Sequence, residues 1–214
     1  MAGRQEAMVG KICMVTGATS GIGKVTARAR AEQGATVIVV GRNPAKTDAT
    51  VRQIRQQTGN SQVELLLADL SSMQQVRDLA AEFKRHHDRL HVLVNNAGAI
   101  FMMRHTSVDG LEMTFALNHL SPFLLTNLLF DTIRASAPAR IVNVSSAVHV
   151  GMRLHLDHLQ RRWFHNGYTV YARSKLMNLL FTYELARRLD GTGVTVNALH
   201  PGLVRSRFFT NNWG

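Results

Sequence analysis

Thr16-Gly17-Ala18-Thr19-Ser20-Gly21-Ile22-Gly23 is the stretch on which the reading of this chain turns. It follows an apolar segment, Lys11 to Val15, and leads into a helix-like stretch that begins near Ile22. A strand, a glycine turn and a helix N-terminus in succession build a phosphate cradle. Glycines let the backbone turn tightly and approach a pyrophosphate, and unpaired N–H groups of the helix favour its negative charge. The glycine spacing is one residue away from the commoner dinucleotide fingerprint. It also departs from the Walker loop, which needs Gly where Ala18 stands and Ser or Thr where Val25 follows Lys24. Alone, such a turn also fits, less well, an ordinary strand–helix connection, and the other motifs of the chain bear on the choice.

Working outward, short apolar runs alternate with longer amphipathic stretches. Strands are expected at 11–16, 36–40, 63–67, 91–94, 139–145 and 193–199, each rich in Val, Ile or Leu and bounded by Gly, Asn, Asp or Ser. Helices are expected near 22–33, 44–57, 72–86, 108–134 and 168–190, with Pro44 at a helix start and Gly34 just past a helix end. This alternation argues for right-handed βαβ crossovers and a doubly wound α/β fold of the Rossmann type. The expected parallel sheet has order 3-2-1-4-5-6, with ligands at the carboxyl ends of its strands. No internal repeat, low-complexity tract or linker interrupts the pattern, and one domain over residues 1–214 is expected.

Bulk properties narrow the function classes. The chain has 214 residues, 45% of them hydrophobic, enough for one substantial core. No run reaches the roughly 18 apolar residues of a membrane-spanning helix. The opening Met1-Ala2-Gly3-Arg4-Gln5-Glu6 lacks the apolar core of a secretion signal. Cys13, the only cysteine, lies in the first strand and excludes an intrachain disulfide, which fits a reducing, cytoplasmic setting. The formal charge of +11 is spread along the chain, mostly as arginine, and would draw a polyanionic cofactor or an anionic surface. No zinc finger, recognition helix or RNA-stacking motif supports nucleic acid as a partner.

Three further motifs fall at strand ends, where this fold places its chemistry. Asn95-Asn96-Ala97-Gly98 follows Val92-Leu93-Val94, Ser145 closes Ile141-Val142-Asn143-Val144-Ser145, and Tyr171-Ala172-Arg173-Ser174-Lys175 lies in the first turns of a helix. A spacing of four puts Tyr171 and Lys175 on one helix face, where a nearby ammonium lowers a phenol's pKa toward the range of a general acid–base. Tyr168, three residues earlier, has Ala172 at that spacing and is expected to pack or to line a substrate pocket.

With the glycine turn, these motifs resemble the short-chain dehydrogenase/reductase family, in order and in register from about Val9 to Gly202. The resemblance implies an oxidoreductase in which Tyr171 exchanges a proton with a carbonyl or alcohol oxygen as hydride moves at carbon. Ser145 and Tyr171 would hold that oxygen. Asn118, in Leu117-Asn118-His119, matches the family's fourth catalytic residue and implies a water-linked proton path to Lys175. Asparagine is also a poor helix-interior residue, so its position there asks for a reason.

Cofactor contacts are carried over in the same way. Gly17, Thr19, Ser20, Gly21, Ile22 and Gly23 would cradle the pyrophosphate, with Tyr171 and Lys175 on the nicotinamide side. Asp69 and Leu70, after the third strand, would meet the adenine, although Asp69 also suits a helix N-cap. Asn95 would shape the turn beside the adenosine ribose, Ala97 and Gly98 would keep the wall near the cofactor thin, and Pro201-Gly202 would receive the carboxamide. The second strand ends Val39-Val40-Gly41-Arg42-Asn43, without the carboxylate that selects NAD and with Arg42 and Lys46 to meet a 2′-phosphate. NADP(H) is therefore expected over NAD(H).

The gap of 26 positions between Ser145 and Tyr171 is wide for the family. The extra residues, together with Asn118-His119-Leu120, Ser136-Ala137-Pro138-Ala139-Arg140 and Thr182 to Leu189, resemble the retinol dehydrogenase-like branch. That branch implies a hydrophobic alcohol, aldehyde or ketone as substrate. The histidines around the insertion, His149, His155, His158 and His165, lack the companions of a zinc site, and no metal is expected. The chain stops at Phe208-Phe209-Thr210-Asn211-Asn212-Trp213-Gly214, before the substrate-covering helices and seventh strand usual in the family. A seventh strand is therefore expected to be absent, with Phe208, Phe209 and Trp213 partly covering an open pocket. A homodimer and peripheral membrane contact stay open, and so does a second reading, a nucleotide-binding regulatory or interaction protein without turnover.

Overall fold

β1 (Ile12–Thr16), β2 (Thr36–Gly41), β3 (Val63–Leu67), β4 (Val92–Asn95), β5 (Ala139–Val144) and β6 (Val194–Leu199) pair side by side. In the computed structural model, which describes residues 7–154, 166–202 and 204, they form one parallel sheet of order β3-β2-β1-β4-β5-β6. Register is direct: Val15 lies opposite Val39 on one side and Val94 on the other. The expected strand positions and order are those observed. Among the described residues no strand pairs outside β6.

Period-two alternation divides the core into two layers. Met14, Ile38, Leu93 and Ile141 point to one face and pack with Phe83, Leu125, Leu129 and Ile133. Cys13, Val15, Val37 and Val39 point to the other, against Ala27, Ala31, Val51 and Ile54. The small Ala27 and Ala31 belong to α1 (Gly21–Ala31) and let it lie close to the strands. Cys13 is fully buried and its thiol is pushed up to about 12 by burial, so it is a core residue.

α2 (Pro44–Thr58) opens with a proline after the capping Asn43 and closes on Gly59 in the left-handed conformation. α3 (Met73–His86) is capped by Ser72. Between β3 and β4 the chain returns to the far side of β1, so a crevice opens at the carboxyl ends of β1 and β4.

The stretch expected as one helix over 108–134 is instead broken. Residues 106 and 112 form an antiparallel bridge around Gly110 (φ 76°). α4 (Met113–Phe115) starts only after Glu112, whose carboxylate caps the N–H groups of Thr114 and Phe115. A π-helical turn, Ala116–Leu120, leads into α5 (Ser121–Leu128), and Leu129 separates this from α6 (Phe130–Arg134). Pro122 explains the wide turn: it has no N–H to give to the carbonyl of Asn118, four residues back. The last helix, α7 (Gly167–Arg188), is capped by Asn166 and packs against β6 and the π-helical turn.

Candidate active site

The glycine turn sits in the crevice. Gly17 and Gly21 take left-handed φ angles of 62° and 52°, and a Cβ on Gly17 would come within 2.9 Å of the Ala97 Cα. A Cβ on Gly23 would meet the Asn96 amide at 2.4 Å and the Gly17 carbonyl at 2.6 Å. Thr16 ties this turn to the end of β4: its Oγ1 accepts from the backbone N–H of Asn96 and Ala97 and donates to the Val94 carbonyl. Asn96 completes the clamp by donating from Nδ2 to the carbonyls of Thr16 and Gly17.

α1 begins at this turn, and its N-cap Ser20 makes no side-chain capping bond, whereas Asn43, Ser72 and Asn166 each cap theirs. The first N–H groups of α1 are therefore left without a side-chain acceptor beside a backbone stripped of Cβ atoms, the arrangement that fits a pyrophosphate. Thr19 and Ser20 are half-buried, and Ile22 lies in the first turn of α1.

The candidate catalytic side chains gather near the ends of β4 and β5. Gly17 touches Ala97, and the next residue, Gly98, would place a Cβ 3.2 Å from Asn118 Oδ1 and 3.5 Å from Lys175 Nζ. Lys175 is buried, donates to the Val144 carbonyl at 2.9 Å, and stands 5.5 Å from the centroid of the Tyr171 ring. Asn118 clasps both backbone polar groups of Ala99, accepting from its N–H at 2.9 Å and donating to its carbonyl at 2.8 Å. Its Nδ2 also reaches Ser174 Oγ in α7.

Ser145 does not face Tyr171. Its hydroxyl donates to the Lys175 backbone carbonyl at 2.9 Å, and its N–H extends the ladder to Leu199 of β6. The hydroxyl bonded to the Tyr171 side chain is that of Ser146, which also caps the short 3₁₀ turn Ala147–His149. The sequence carried the signal: Ala139, Ile141, Asn143 and Ser145 share one phase of the strand and are all buried. Ser146 is the first residue free to turn outward.

At the end of β4, Asn95 points inward and donates to Asn143 and Thr126, while the next residue, Asn96, lies beside the glycine turn.

Electrostatics differ from the expectation for Tyr171. Burial raises its pKa, the Ser146 bond lowers it and Tyr168 raises it. The Lys175 ammonium is itself pushed down to about 8 by burial, which weakens its pull on the phenol. Phenolate is therefore not favoured by these protein groups alone.

After β3, Asp69 accepts from the N–H and hydroxyl of Ser71 and lies 3.7 Å from the exposed Arg42 guanidinium. Ser72, not Asp69, caps α3. Leu70 is buried in the core, so only its backbone is available to a ligand. Lys46 is exposed at the start of α2, where its N–H donates to Asn43. A Cβ on Gly41 would collide with Thr47 Oγ1 and the Thr19 methyl, a close approach of β2 to the glycine turn that the motif reading missed.

Tyr168 is half exposed in the first turn of α7, where Gly167 abuts Phe101 and Met102. Met102, Met103 and Val150 are exposed, the first two on the segment after β4 and the last on the segment after β5. Pro201 and Gly202 follow β6, Gly202 with φ 74°. His155, His158, His165, Phe208, Phe209 and Trp213 lie outside the described residues; among the described residues no cluster suits a metal ion. No helix among them is long and apolar enough to cross a membrane.

A family model for short chain dehydrogenases matches residues 11–213. Human retinol dehydrogenase 11 is 46% identical over 197 residues, covering 92% of this chain and 62% of the relative. Human polyprenol dehydrogenase is 43% identical over 202 residues, covering 92% and 61%. The chain thus spans about three fifths of the length of the curated relatives it matches. Among solved structures, the Pseudomonas aeruginosa RhlG/NADP active-site complex superposes with a TM-score of 0.79 at 28% identity, covering 97% of this chain and 78% of that one. A Sphingobium yanoikuyae short-chain dehydrogenase in complex with NADPH superposes with a TM-score of 0.78 at 25% identity, covering 94% and 74%.

Proposed function

The chain belongs to the short chain dehydrogenase family, and on that premise we propose that it interconverts a hydrophobic alcohol and its aldehyde or ketone, with NADP(H) as cofactor. The observation that carries the reading is the continuity of the site. The glycine turn touches Ala97, Gly98 adjoins Asn118 and Lys175, and Lys175 stands beside a Tyr171 that is bonded to Ser146. The glycine turn and the uncapped start of α1 would hold the pyrophosphate, Arg42 and Lys46 the 2′-phosphate, and Pro201-Gly202 the carboxamide. The bound nicotinamide supplies or accepts the hydride.

The rest of the chemistry belongs to the chain's own residues. In reduction, carbon gains the hydride and the Tyr171 hydroxyl gives its proton to the carbonyl oxygen, so that an alcohol leaves and a phenolate remains to be reprotonated from solvent. In oxidation Tyr171 takes the proton. Ser146, bonded to Tyr171, donates to the same oxygen and holds it in line. Lys175 stabilises the phenolate by charge, and Asn118 fixes the loop at Ala99 that closes the site on this side.

Relatives named for retinol and polyprenol, both isoprenoid alcohols, and the exposed Met102 that abuts Gly167, next to the half-exposed Tyr168, support an apolar substrate. The basic surface would bring such a substrate's membrane within reach. The test is titration with NADPH and NADH, followed by turnover of hydrophobic aldehydes by wild type and Tyr171→Phe. We expect NADPH binding in both and aldehyde-dependent NADPH oxidation in wild type alone. Binding without wild-type turnover would favour the regulatory reading.

A further inference from the structure

A buried polar ladder that the catalytic residues do not account for runs from the sheet into α7. Asn95 donates to Asn143 Oδ1 at 2.8 Å, Asn143 donates to Thr182 Oγ1 at 2.9 Å, and Thr182 donates to the Asn178 carbonyl at 2.7 Å. Asn178 then leaves the helix sideways: its Nδ2 donates to the backbone carbonyl of Asn118 at 2.8 Å. In α-helical register that carbonyl would take its bond from residue 122, which is proline and has no N–H to give. The side chain of Asn178 thus gives this carbonyl a donor from another helix in place of the missing i+4 bond. All four residues are buried, so none is a solvated surface amide.

The orientation of the Asn178 amide is fixed by its second contact. Because a carbonyl only accepts, Nδ2 must face Asn118, which turns Oδ1 toward His119 Nδ1 at 3.0 Å. His119 must then carry its proton on Nδ1. Its ring is held between Phe115 and Phe123, at centroid distances of 5.8 and 6.2 Å. The imidazole is thereby packed as well as bonded.

We propose that Asn178, locked by His119, is a positioning residue that holds the π-helical turn in the register placing Asn118 on Ala99 and beside Lys175. The argument is geometric. Asn118 makes two bonds to Ala99 only if its own backbone sits in the widened turn, and Asn178 is the group that satisfies that turn. The Asn118 carbonyl has two lone pairs, so the Asn178 bond leaves one for water. The inference rests on the proposed oxidoreductase reading for its effect on turnover, but not for its effect on structure.

Asn178→Asp removes the donor, and His119→Phe removes the lock while keeping the aromatic stack. His119→Gln keeps an N–H donor and serves as the conservative rescue. Amide exchange at Ala99, whose N–H donates to Asn118 Oδ1, reads the placement without any turnover. We expect Ala99 to exchange about tenfold faster or more in Asn178→Asp and His119→Phe, with protection of the strand amides unchanged, and His119→Gln to exchange as wild type does. On a hydrophobic aldehyde the first two should lose about tenfold in kcat, with KM and the NADPH Kd unchanged.

Unchanged Ala99 exchange in folded His119→Phe overturns the proposal, and so does a loss of protection that is uniform over the molecule. Should wild type show no turnover, the functional reading fails on its own, and the Ala99 rates still decide the placement.

Discussion

At the scale of single residues, the exchange of Ser145 for Ser146 shows how one position decides a role. Both are serines at the end of β5, yet one is spent on the Lys175 carbonyl and the other on the Tyr171 hydroxyl. Ser146→Ala should therefore lower kcat about 100-fold with little change in stability, as loss of a donor to a developing oxyanion does. Ser145→Ala should destabilise the fold by about 1 kcal/mol and lower kcat far less. Steady-state kinetics and a thermal melt of the two variants separate these roles. Comparable kcat losses in both would remove the distinction.

Lys175 carries a second consequence at this scale, because burial holds its ammonium near 8 instead of 10.5. Below that pH both folded and unfolded chains are protonated. Between about 8 and 10.5 the unfolded chain holds the proton and the folded one does not, so this group makes stability rise with pH across that window. The contribution is of the order of 3 kcal/mol when complete. The Cys13 thiol, raised to about 12, opposes it from its ordinary value of 9 upward, so the difference between wild type and Lys175→Met isolates the lysine. Denaturant unfolding of the cofactor-free protein from pH 7 to 10 should show wild type gaining stability relative to Lys175→Met. A flat difference would mean that Lys175 is solvated when folded.

At the scale of elements, the glycine turn and α1 are coupled through contacts a side chain cannot share. A Cβ at Gly23 would strike both the Asn96 clamp and the Gly17 carbonyl. Gly23→Ala should thus cost about 1–3 kcal/mol and weaken NADPH binding at least tenfold. Gly59→Ala is the control: its φ of 70° is strained for alanine, but nothing lies near its Cβ. It should lose about 1 kcal/mol with the NADPH Kd unaltered.

The elements also show what a sequence conveys. The strands were legible because two-sided burial demands unbroken apolar runs such as Val37 to Val40. The glycine turn and the Tyr171–Lys175 spacing were legible because local geometry dictates residue type. The break over 108–134 was not, because apolar periodicity tolerates a π-helical turn and gives no notice that a distant Asn178 will satisfy it. The choice between Ser145 and Ser146 was hidden for a related reason. The two end a strand side by side, and only the phase of side-chain alternation tells which points into the sheet and which to Tyr171.

At the scale of the whole molecule, the charge of +11 bears on cofactor choice in a way no single contact does. A general positive field attracts NADPH and NADH alike, in proportion to their charge, whereas Arg42 acts only on the extra 2′-phosphate. The two effects separate by salt and by mutation. Arg42 is largely exposed and its Asp69 partner lies 3.7 Å away, a loose pairing that leaves the guanidinium free to turn to a phosphate. Arg42→Ala should then shrink the ratio of NADH to NADPH dissociation constants by about tenfold, about 1.4 kcal/mol. Raising salt from 50 to 500 mM should weaken NADPH binding more than NADH binding in wild type, because the Debye length falls from about 14 to about 4 Å. In Arg42→Ala the excess salt sensitivity of NADPH should diminish but persist, the remainder being the field of the other cations. If the variant loses NADH and NADPH affinity equally, Arg42 contributes only to that field, and selection for the 2′-phosphate lies with Lys46 at the start of α2.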